Sequence, residues 1–177
     1  MINVEEATRI AEANACAGLT VAVHHVRETQ QGWYFPWQND GPPMAGSKGI
    51  IIEKQTGRVF MLGSAFSLDR DLAAFDAGYR FGSATLVVSA VRDRQLAIDR
   101  LVRIRIQEVT PEFERGVVWR IPRALSANDI EKRLETLPCR FGPISVYFCV
   151  EALEELKRSG AISYDLEEVS KGSHQCM

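Results

Sequence analysis

Apolar residues first recur at helical spacing. Ala7, Ile10 and Ala11 share one face, Asn3 and Glu6 stand before them at capping-box spacing, and Gly18 follows, which predicts a helix over 4–17. Its narrow apolar stripe suits a seat on a sheet. The period then drops to two: Leu19, Val21 and Val23 alternate with Thr20, Ala22 and His24, predicting a strand over 19–26. Gln30-Gln31-Gly32 turns that strand into the aromatic run Gly32-Trp33-Tyr34-Phe35-Pro36-Trp37. Further strands are predicted over 50–53 and 58–62, joined by Lys54-Gln55-Thr56-Gly57, whose glycine suits a tight turn. Ser67 is placed to cap a helix with Leu68, Leu72, Phe75 and Tyr79 on one side. The predicted order is α-β-β-β-β-α.

Two polar residues and a glycine over 80–83 break the pattern, so a boundary is placed near residue 82, giving units over 1–80 and 81–170 and a mobile tail over 171–177. The second unit is predicted to hold a strand over 84–91, a helix over 93–104 and a strand over 117–121. A helix capped by Ser126 should run to Leu137, a helix over 145–158 should end at Gly160, and a strand should cover 161–169 with Ile162, Tyr164 and Leu166 inward. Such a mixture predicts an α+β class: an antiparallel sheet of about four strands with two helices, then a second α+β unit, with an open-faced, ferredoxin-like sandwich as its candidate form.

Composition narrows the function more than it describes the fold. At 46% hydrophobic and 25% charged, 177 residues make an ordinary globular chain, and a net charge of −2 supplies no global attraction to nucleic acid or anionic membrane. No run approaches the length that spans a bilayer, and residues 1–6 lack the pattern of a signal peptide, so a cytoplasmic location is expected. Cys16, Cys139, Cys149 and Cys176 show no C-x-x-C spacing and are read as free thiols; with three histidines in the chain, no metal site and no cofactor are expected.

The motifs that invite chemistry have plainer readings. Residues 41–48 (Gly-Pro-Pro-Met-Ala-Gly-Ser-Lys) superficially resemble a phosphate loop, but the order is Gly-Ser-Lys and a strand follows where a helix is needed. Cys16 near His24 and His25 is the one sequence-local thiol–imidazole pairing, yet adjacent strand histidines face opposite ways. No catalytic residue is assigned and no enzyme activity is expected. Trp33, Tyr34, Phe35 and Trp37 could stack on bases, but Gln30, Gln31, Gln38, Asn39 and Asp40 flank them without positive charge. The structural reading puts alternate aromatics in the core and the others on the sheet's outer face, leaving Trp37, near the strand end, to anchor a partner. Arg92, Arg94, Arg100, Arg103 and Arg105, against Asp93 and Asp99, read as a solvated helix face.

The ordered series of an Ala-rich N-terminal helix, the strand over 19–26, Gly32-Trp33-Tyr34-Phe35, the run 45–57 (Ala-Gly-Ser-Lys-Gly-Ile-Ile-Ile-Glu-Lys-Gln-Thr-Gly) and the helix with Leu72 and Phe75 resembles the YrhB-like immunity proteins over about residues 1–80. The second half departs from that pattern. The resemblance implies a bacterial antidote that binds a co-encoded toxin and neutralises it by stoichiometric occlusion. A chaperone-like binding module is the alternative, and an enzyme of unknown type a remote one. The contact residues expected from exposure and charge are Trp37, Asp40, Asp69, Asp71 and Asp76 in the first half and Glu151, Glu154 and Glu155 in the second, acidic groups that would steer a basic partner.

Overall fold

The computed structural model describes residues 1–15, 18–38 and 46–169, which divide into two compact units, 1–81 and 82–169. In the first, helix α1 (Val4–Ala13) begins at Asn3, whose side chain accepts from the Glu6 N–H at 2.9 Å. It stops short of the predicted residue 17, with Asn14 as its C-cap. The strands are β1 (Thr20–Val21), β2 (Arg27–Glu28), β3 (Gly32–Gln38), β4 (Ser47–Glu53) and β5 (Val59–Gly63), antiparallel in the order β1-β3-β4-β5 with β2 also paired to β3. Helix α2 (Leu68–Asp76) follows its predicted cap, Ser67.

The strand expected over 19–26 is broken in two, and Pro36 supplies the reason. The Ala22 N–H donates to the Pro36 carbonyl at 2.9 Å, but proline has no N–H to return a bond, so the ladder stops there. The chain leaves through a 3-10 turn (Val23–His25) and rejoins β3 at Arg27, opposite Tyr34. His24 and His25 therefore lie exposed on a turn instead of on opposite faces of a strand. Across the other edge of β3, Pro36 faces Gly49, where φ is 155° and an added Cβ would sit 2.2 Å from the Phe35 carbonyl oxygen. That oxygen, and Pro36 Cα at 2.9 Å, belong to backbone that cannot swing aside. Gly49→Ala is expected to destabilise this unit by on the order of 2 kcal/mol or more, read as a lower urea midpoint; an unchanged midpoint would contradict this packing.

Both faces of this sheet are covered. Phe35, Ile50 and Ile52 pack with Ala7, Ala11 and Val21 on the α1 side, with Trp33 and Trp37 at the margin. Tyr34, Ile51, Phe60 and Leu62 pack with Leu72 and Phe75 on the α2 side. Two-sided burial explains why 50–52 is an unbroken β-branched run. It also corrects the expectation that part of the aromatic strand would cover an outer face.

The second unit contains β6 (Ser83–Val91), α3 (Arg94–Arg103), β7 (Gln107–Glu114), β8 (Val117–Ala124), α4 (Ala127–Arg133), β9 (Cys139–Ser145), α5 (Val146–Ser159) and β10 (Ile162–Glu168). Its sheet has the order β10-β6-β9, and β6 is antiparallel to both neighbours, so β9-α5-β10 is a split β-α-β with β6 between its strands. Ala84, Leu86, Val88, Phe141 and Ile162 are buried, whereas Ser89, Arg140, Asp165 and Glu167 are exposed, so one face is packed and one open. The α+β class holds in both units. A ferredoxin-like order would gather four strands into one sheet; here β7 and β8 form a separate two-stranded ribbon, and β10 lies beside β6.

Candidate interaction surface

The acidic groups of α2 fall into three different environments. Asp69 is exposed and meets Arg27 at 3.2 Å, a surface pair of small energetic weight. Asp76 accepts from the backbone N–H groups of Gln30 and Gln31, at 3.1 and 2.9 Å, and so fastens the turn before β3. Asp71 is fully buried, with Lys48 Nζ at 2.7 Å and Arg70 Nη1 at 3.2 Å. A carboxylate without solvent access cannot touch or steer a partner, so Asp71 is corrected from contact residue to internal strut. Nearby, Glu53 is also buried and receives Arg80 Nε at 2.6 Å. Burial alone would raise its pKa, but hydrogen bonds from Thr56 and Arg80 outweigh that and hold the carboxyl below its ordinary value.

Trp37 is half-buried against the α1-side cluster, and its indole N–H donates to Ser47 Oγ at 2.8 Å, so its polar handle is engaged within the fold. Asp40 and most of the loop before β4 lie outside the described residues, as do Cys16, Cys176 and the tail 171–177. Lys48, the last residue of the phosphate-loop-like segment, is in β4 and is spent on Asp71 and the Phe66 carbonyl.

On α5, Glu151 is exposed and Glu154 half-buried, while a single oxygen of Glu155 accepts from both Arg100 and Arg103, at 2.9 and 3.0 Å. The expected acidic surface is thus interleaved with the basic residues of α3. Arg94 meets Glu131 and Glu135 at 3.6 Å, and Arg92 donates to the Gly160 carbonyl and Ser163 Oγ.

The surface that stands out was not anticipated. Arg115, at φ 49°, and Gly116, at φ 79°, make the two-residue turn with positive φ at both positions that joins β7 to β8 with the natural strand twist. The resulting ribbon runs eight residues a strand, about 26 Å at the usual rise. Every residue of β8 is exposed, as are all of β7 except the half-buried Glu108 and Glu112. Directly paired residues share a face. Phe113 and Val118, with Val109 two pairs along, therefore lie on one side, and Trp119 and Ile121, with Val117, on the other. Phe113 is 81% exposed, Val109 60% and Trp119 53%. Glu112–Arg123 crosses the ribbon, and Glu108–Arg133 ties its base to α4.

Strand β7 escaped prediction because Pro111 and three glutamates interrupt its alternation. The usable signal was Arg115-Gly116 between Phe113 and Val117, a turn dipeptide flanked by apolar residues. Strand β9 was hidden by Gly142-Pro143, which reads as a loop.

Other chemistry is weakly supported by geometry. The thiols of Cys139 and Cys149 are both pushed up by burial, with Glu151 adding to the effect at Cys149, which is the opposite of the activation a nucleophilic cysteine needs. Among the described residues no group of three or more His, Cys, Asp or Glu converges to hold a metal ion, and no helix is long and apolar enough to cross a membrane. No protein-family model, curated protein or solved structure matches the chain.

Proposed function

We propose that this chain is a bacterial immunity protein that binds a co-encoded toxin and neutralises it by stoichiometric occlusion, with the β7–β8 ribbon as its principal contact. The exposure of Val109, Phe113, Val117, Val118, Trp119 and Ile121 on one projecting ribbon carries the reading. Apolar side chains gathered on so small an element exceed what a surface strand needs for its own fold and suit a groove on another protein. The likeness of residues 1–80 to YrhB-like immunity proteins supplies the class of partner. Charge supplies the orientation. Glu112 pairs with Arg123 and Glu108 with Arg133, which leaves Glu114 on β7 and Arg120 on β8 to meet a basic and an acidic group of the toxin.

The test is co-expression with the toxin encoded beside this gene. Restored growth and a co-eluting complex at one-to-one stoichiometry are expected. Undiminished toxicity with no complex would overturn the proposal, as would burial of the ribbon in a stable homodimer that persists in the presence of toxin. Suppression of aggregation for several unrelated clients, without preference for the neighbouring toxin, would favour the chaperone-like alternative.

A further inference from the structure

The second unit holds a cleft that the proposed toxin contact does not use. Arg103, Ile104, Arg105, Ile106 and Gln107 form one wall, and Pro143, Ile144, Ser145, Phe148 and Cys149 the other, around a cavity of about 620 Å³. Ile104, Ile106 and Ile144 lie beneath it, buried and offering it little surface, while Phe148 stands 62% exposed at the rim. Its polar groups are cationic or neutral, and no carboxylate lines it.

Two observations give the cleft a sign. Arg100 and Arg103 share one oxygen of Glu155, so a single negative charge faces two guanidinium groups and Arg103 keeps donors in hand. Arg105 is held at φ 54°, a left-handed conformation unusual for a bulky side chain, and its guanidinium has no hydrogen-bond or ion-pair partner among the described residues. The left-handed residue ends α3 just after its C-cap, Ile104, and so sets an unneutralised cation at the mouth of the cleft. Ser145 and Gln107 add neutral hydrogen-bonding groups beside it.

We propose that this cleft binds a small molecule bearing one oxyanion, a carboxylate or a phosphate monoester, on a flat apolar body. Arg103 and Arg105 take the oxyanion by charge-assisted hydrogen bonds, and Phe148, with Pro143, takes the body. The proposal is independent of the toxin reading.

The experiment uses the full chain with phenyl phosphate, benzoate, inorganic phosphate and neutral phenol as probes, followed by calorimetry and by NMR shifts of residues around the cleft. Saturable binding of phenyl phosphate or benzoate is expected, and the tighter of the two identifies the head group. Inorganic phosphate and phenol should each bind more weakly, since each lacks one half of the recognition. Arg105→Gly is the decisive variant, because glycine accepts the positive φ and the turn stays folded while the cation is removed. It should weaken the preferred probe by about tenfold or more, the fold-change of one charge-assisted hydrogen bond. A folded Arg105→Gly chain that binds equally well would overturn the proposal, as would failure of both aromatic anions to saturate at millimolar concentration. Complex formation with the toxin should be unchanged in this variant, which separates the two readings.

Discussion

Replacing Asp71 with alanine is expected to destabilise the first unit by about 3–5 kcal/mol. Its carboxylate is fully buried and is met by Lys48 and Arg70, whose side chains are only 21% and 16% exposed. Deleting the anion leaves cations in a poorly solvated site, and breaking a buried pair from one side typically costs about 3–5 kcal/mol. A unit of this size has a total stability of roughly 4–12 kcal/mol, so the loss is a large share of it. Asp71→Asn should fall between wild type and Asp71→Ala, because it keeps an acceptor and loses the charge. The double change Lys48→Met, Asp71→Leu should recover part of the deficit by trading one pair for apolar packing, the rest persisting because Arg70 loses its contact with the anion. Urea denaturation followed by circular dichroism reads all three, and an unchanged midpoint for Asp71→Ala would show that the carboxylate is solvated after all.

The second large effect is on binding alone. Serine at both Phe113 and Trp119 removes one aromatic from each face of the ribbon, and the two losses together should weaken the proposed toxin complex by at least about 100-fold, the scale of a lost binding hot spot. Stability should move little, since both side chains are more than half exposed and fill no core. Growth protection and titration calorimetry give the first quantity and thermal unfolding the second. A folded double variant that binds as tightly as wild type would place the contact elsewhere. Aspartate at exposed Asp69 changed to asparagine serves as the comparison, because its pair with Arg27 is solvated and its loss should be nearly silent.

Interior elements were legible in the sequence wherever a local rule and burial agreed. Asn3, Ser67, Asp93 and Ser126 cap the helices expected after them, and Gly160 ends α5 in a left-handed conformation. The misses have identifiable causes. The strand over 19–26 satisfies every local criterion, yet its partner carries a proline two residues before its own end, and a missing N–H on a neighbour leaves no mark in the strand that needs it. Helix α4 ends at Arg133, a turn before the expected Leu137, with Leu134 already buried as its C-cap.

Contact residues were harder to read because charge in a sequence does not disclose solvation. Asp69 and Asp71 are two positions apart and acidic, but helical geometry turns one to water and the other onto Lys48. The ribbon was invisible for the opposite reason. Its apolar residues serve no core, so the periodicities that reveal packing say nothing about them.

The exposed ribbon has a further consequence for how such a protein can change over generations. Substitutions at the exposed apolar positions of β7 and β8 are uncoupled from the interior of either unit, so partner preference can drift one side chain at a time while the two cores stay intact. The requirement that persists is the turn at Arg115 and Gly116, where both residues have positive φ and which keeps the strands in register. A lineage under pressure from a changing partner would thus be expected to hold that dipeptide's geometry and vary the faces beside it.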